Sequence, residues 1–74
     1  MIGAFLKNYM KENGIKQVFV SEKTGIRPQI LGAMLNGQRK VEATEFFKIC
    51  EAMGANPTEL AVAAGIYGEK QASA

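Results

Sequence analysis

Seventy-four residues with one cysteine (Cys50) and no histidine make a single domain that lacks disulfide support and the usual zinc ligands. A chain this short buries only roughly 60% of the surface its unfolded form exposes, so it must pack well to fold. The net charge of +2 is unevenly spread: residues 1–40 hold seven Lys/Arg and two acids, net +5, whereas 41–74 hold two Lys and five acids, net −3.

The elements follow in chain order. Ile2, Phe5, Leu6, Tyr9 and Met10 recur at helical spacing and give a first helix an apolar stripe, ended by Asn13-Gly14. A second helix is expected from about Lys16 to Lys23, broken by Gly25, which tolerates a left-handed backbone. A third runs from about Pro28, where proline's missing N–H costs nothing, to Leu35, and Asn36-Gly37 stops it. Residues Gln38 to Glu42 read as a basic loop. A fourth helix covers about Ala43 to Met53, with Phe46, Ile49, Cys50 and Met53 on one face. In Asn56-Pro57-Thr58-Glu59 the asparagine caps a fifth helix, which ends near Ala64. Ile66-Tyr67 can fold back onto the core, and Glu69 to Ala74 read as a polar flexible tail. The expectation is a compact all-α domain of five helices over residues 1–68, with Val20, Leu31 and Met34 joining the stripes of helices one, four and five. Ser21 is small where the second and third helices approach, and Thr24 packs at their junction.

Residues 16–37 therefore form two short helices joined by a tight turn at Thr24-Gly25-Ile26. Such a helix-turn-helix lays its second helix in the major groove of DNA. The charge asymmetry fits a phosphate-facing surface with an acidic side turned away. The absence of a signal peptide and the lone cysteine point to the cytoplasm. No apolar run approaches the ~18 residues of a membrane span. No cofactor or metal is expected, and no enzyme: the chain has neither histidine, nor paired carboxylates, nor a phosphate-cradling glycine loop. Cys50 reads as a small core residue, with no base to activate a thiol.

With Gln17 opening the second helix, Gly25 at the turn and Gly32-Ala33-Met34-Leu35-Asn36-Gly37 closing the third, residues 2–64 resemble the phage lambda repressor and Cro-type helix-turn-helix family, the XRE-type DNA-binding domain. The resemblance implies a regulator that binds operator DNA, usually as a homodimer. Val18, Phe19 and Phe47 depart from it, standing where the family carries polar side chains, and Pro28 stands where relatives often read a base. There is no long basic N-terminal arm. The start at Met1 and the polar tail lean toward a complete small protein.

Gln17 is the first phosphate candidate, since its amide and the helix-start N–H groups both reach a phosphate oxygen; otherwise it only caps the helix. Asn36 can donate to a second phosphate or serve only as a helix stop. Arg39 and Lys40 border the backbone or remain solvated. Base reading falls to Gln29, whose amide can pair with adenine N6 and N7, a discrimination of ~1–3 kcal/mol. Arg27 can take guanine or phosphate, and Ile30 and Ala33, exposed in this register, can meet thymine methyls, unless Ile30 is a core position. Gly32 costs ~1 kcal/mol inside a helix, which a close approach of DNA or another helix would explain. For Val18, Phe19 and Phe47, a shifted register burying at least one is expected; the alternative is an apolar patch for a protein partner or second copy, with Ile66 and Tyr67 as further dimer elements. The leading reading is a transcriptional regulator of phage-repressor type. The second is a protein-interaction module, an antitoxin or regulator-binding protein, on the same fold.

Overall fold

A computed structural model describes residues 2–66. Five helices follow in order: α1 (Ile2–Glu12), α2 (Gln17–Thr24), α3 (Pro28–Leu35), α4 (Ala43–Ala52) and α5 (Pro57–Ala63). Among the described residues there is no strand. Each boundary has a local cause. α3 begins at Pro28 and ends where Asn36 turns its N–H onto the Gly32 carbonyl. α5 begins where Asn56 accepts the Glu59 N–H at 3.0 Å. Tyr67 and the tail 69–74 lie outside the described residues.

One core joins all five helices. Leu6 and Met10 of α1, Val20 of α2, Leu31, Met34 and Leu35 of α3, Phe46, Ile49 and Cys50 of α4, and Leu60 and Ala61 of α5 are buried together. Each of the larger side chains contributes about 1.5–3 kcal/mol of burial free energy. α3 packs between α1 and α2, and α4 packs on α2 and α5. Burial pushes the Cys50 thiol above its usual pKa, which disfavours the thiolate a nucleophile would need.

Two close approaches set the geometry of the N-terminal half. The first is at Gly3, where a Cβ would run into the Met34 carbonyl oxygen. Only glycine lets α1 sit this near the end of α3. The second is the α2–α3 turn. Gly25 takes φ +80° and donates its N–H to the Ser21 carbonyl. Thr24 Oγ1 donates to the Val20 carbonyl at 2.8 Å and accepts the Ile26 N–H at 3.1 Å. Ser21 Oγ donates to the Ile26 carbonyl. Ser21 and Thr24 thus hold the turn by hydrogen bonds as well as by small size.

Two expectations are corrected. None of Val18, Phe19 and Phe47 is buried by a shifted register: they are 57%, 44% and 56% exposed. The register is held by Val20 and Ser21 in α2 and by Phe46, Ile49 and Cys50 in α4, which fill the core faces. Ile30 and Ala33, expected on the open face, are half-buried. Ile30 lies one turn before Met34, at the edge of the core stripe, and packs against it.

Candidate nucleic-acid interface

α3 is buried through Leu31, Met34 and Leu35. The opposite stripe runs through Gln29, Gly32, Ala33 and Asn36, with Gly32 and Ala33 three and four residues after Gln29 and Asn36 seven after it, and so on one helical face. Gln29 and Asn36 are exposed. Among the described residues a Cβ built on Gly32 meets nothing within 4 Å, so no close approach of another described helix explains the glycine. At Gly32 the stripe is bare backbone with open space beside it, while Ala33 is half-buried.

The helix starts beside this stripe are also open. Lys16 and Arg27, the residues before α2 and α3, make no side-chain cap. The first-turn N–H groups of α2 therefore have no side chain closing them, and Gln17 stands exposed at that end. Aligned N–H groups at a helix start favour an anion. At α3 the proline removes one donor, but Arg27 and Gln29 flank the start, both exposed.

Charge follows the same division. The only ion pair among the described residues joins Arg39 to Glu45, at 3.1 Å. Glu45 also accepts the Glu42 N–H at 2.9 Å, reaching back over the start of α4. That backbone bond, with the Arg39 guanidinium beside it, holds the Glu45 carboxyl below its usual pKa. Arg39 is thus engaged at α4, and a phosphate would have to compete with Glu45 for it. Lys40 is exposed in the same loop.

Asn36 has a partner that sequence reading missed. Lys7 Nζ of α1 donates to Asn36 Oδ1 at 2.8 Å. Lys7 and Lys11, one helical turn apart, line a cleft of about 450 Å³ with Asn8, Asn36 and Gly37. The i, i+4 spacing of the two lysines is visible in the sequence; their meeting with Asn36, 29 residues on, is not.

The exposed apolar residues fall elsewhere. Phe47 lines a hollow of about 290 Å³ with Ile2, Val41, Pro57, Ala61 and Ile66. It stands edge-on to Phe46, with ring centroids 6.2 Å apart. Val18 and Phe19 lie on α2, away from that lining, and Lys23 Nζ sits 5.8 Å above the Phe19 ring. Among the described residues no group of acidic, thiol or imidazole side chains could hold a metal, and no helix is long and apolar enough to cross a membrane.

No curated protein and no solved structure matches the chain. A family model described as helix-turn-helix matches residues 6–60 of the 74, spanning α2, the turn, α3 and α4. The chain belongs to the XRE-type, Cro/C1-like helix-turn-helix family of DNA-binding regulators.

Proposed function

We propose that this protein is a sequence-specific transcriptional regulator of phage-repressor type that binds a two-fold operator as a homodimer in the cytoplasm. α3 enters the major groove. Gln29 reads adenine, Arg27 reads guanine or holds a phosphate, and Ile30 and Ala33 touch thymine methyls at the edge of the stripe. Gln17 and Asn36 hold the flanking phosphates, with Lys40 beside them and Arg39 shared with Glu45. Two copies bring their α3 helices to half-sites about 34 Å apart. Occupancy blocks polymerase, and the protein needs neither cofactor nor metal for that. The observation that supports the reading most is the α3 stripe, with Gln29 and Asn36 exposed at its ends and open space beside the Gly32 backbone.

Selection from a random pool of duplex DNA at two salt concentrations tests it, with Gln29→Ala in parallel. A two-fold motif is expected, with preference at one base pair per half-site relaxed by ~1–3 kcal/mol in Gln29→Ala. A motif without two-fold symmetry removes the dimer. No enrichment at either salt removes the operator model.

A second reading has its own support. Phe47 and Ile66 share one apolar hollow, and Val18 and Phe19 stand exposed on α2. On this reading, with Tyr67 added, they bind a protein partner and the fold has lost strong DNA binding. A steep fall of DNA affinity with salt argues against it, because phosphate contacts release counterions.

A further inference from the structure

The Lys7–Asn36 bond assigns α1 a part in DNA binding. An asparagine at a helix end can present either its carbonyl or its NH₂ outward. A phosphate accepts only the second. Here Asn36 Oδ1 is taken by Lys7 Nζ. Turning the amide over would set two donors against each other and break the bond. Lys7 therefore leaves the Asn36 NH₂ as the outward group, on the same face of α3 as Gln29 and seven residues along it.

The surroundings suit an anion. Lys7, whose ammonium has two further donors beyond the bond to Asn36, and Lys11 both line this cleft. The nearby carboxylate, Glu12, accepts from Asn8 Nδ2 at 3.2 Å and forms no ion pair with either lysine. The cleft adjoins the end of the α3 stripe, and the Gly3 contact with Met34 sets α1 there. The turn N–H groups of Asn36, Gly37 and Gln38 are spent on α3 carbonyls, so the cleft's donors are side chains.

We propose that Lys7 is a positioning residue for Asn36, and that Lys7, Lys11 and Asn36 together clamp one backbone phosphate flanking the bases that α3 reads. The proposal rests on α3 as the groove-reading helix.

The test is binding of a mixed-sequence duplex, followed by fluorescence anisotropy between about 50 and 200 mM salt. The proteins are wild type, Lys7→Met, Lys7→Arg, Asn36→Ala, the Lys7→Met/Asn36→Ala double variant, and Lys48→Met as a charge control on α4. All substituted residues are exposed, and a thermal melt confirms that each variant folds. Lys7→Met should weaken binding about tenfold or more, as loss of a charge-assisted hydrogen bond does. It should also lower the salt slope by about 0.9, the share of one phosphate. Lys7→Arg should recover most of the loss, and Lys48→Met should leave the slope alone. In the Asn36→Ala background, Lys7→Met should cost clearly less than in wild type, because the two act as one unit. Additive losses overturn the positioning role. A Lys7→Met effect no larger than that of Lys48→Met overturns the clamp. If wild type binds no duplex at either salt, groove reading by α3 falls as well, an outcome distinct from the other two.

Discussion

The two helices beside the bare stripe start differently from the two that follow. α4 folds Glu45 back onto the Glu42 N–H, and α5 is capped by Asn56. α2 and α3 start at Lys16 and Arg27 with no side-chain cap. A cap is worth about 1 kcal/mol, so leaving two of them out is a cost to a small domain. The one ion pair among the described residues sits at α4, between Arg39 and Glu45; Lys7, Lys11, Lys16, Lys23 and Arg27 have none there, and neither have Lys40 and Lys48. The half around α4 and α5 closes both of its helix starts with side chains and presents an apolar hollow. The half around α2 and α3 leaves both of its helix starts without a side-chain cap, as the proposed phosphate contacts require.

The largest test removes the ground the halves share. Leu31 lies in the core that all five helices build. Leu31→Ala should cost about 2–5 kcal/mol and melt the protein in one transition. Two separate transitions in a denaturant melt would show that the halves fold independently.

Gly3→Ala comes next. The added Cβ collides with the Met34 carbonyl, backbone that cannot swing aside. A loss of about 1–3 kcal/mol is expected, as for overpacking elsewhere. DNA affinity should fall further than stability alone explains, because Lys7 moves away from Asn36.

The capping contrast is sharpened by a pair of substitutions. Asn56→Ala should lower stability by about 1 kcal/mol and leave DNA affinity unchanged. Gln17→Ala should do the reverse, weakening DNA binding by about 0.5–1.5 kcal/mol with an unchanged melt. If Gln17→Ala lowers the melting temperature as Asn56→Ala does, Gln17 is a structural cap and the contrast fails.

The smallest effect is on pH. The Glu45 carboxyl titrates below its usual value because of the Glu42 N–H and then Arg39. A depressed folded pKa gives stability that is present above the unfolded value and is lost as pH falls through the folded one. Acid unfolding curves below the ordinary carboxylate range should therefore be shallower for Glu45→Gln than for wild type. The difference should be slight, since the Arg39–Glu45 pair is in contact with solvent.

Much of this was legible in the residues, for physical reasons that differ from place to place. Pro28 and Asn36-Gly37 bound α3 because they act on the backbone locally, and Asn56 caps α5 across only three residues. The open stripe from Gln29 to Asn36 follows from helical spacing alone. Ile30 was misplaced because it sits at the border of the core stripe, where a small rotation of α3 decides its exposure. Gly3 and Lys7 were not legible as functional. Gly3 meets Met34 and Lys7 meets Asn36, and each pair comes together only when α1 docks on α3. Nor did spacing show that Phe47 and Ile66 share a hollow from which Val18 and Phe19 are absent.

The central claim is that α3 and its flanking helix starts meet DNA while the α4–α5 hollow does not. Titration of the ¹⁵N-labelled protein with duplex DNA at low salt, followed by amide and side-chain shifts, tests it most directly. Shifts are expected at Gln17, Gln29, Gly32 and Asn36, with Phe47 and Ala61 unmoved. Shifts confined to Phe47 and the residues around its hollow, or none at any residue, would contradict it.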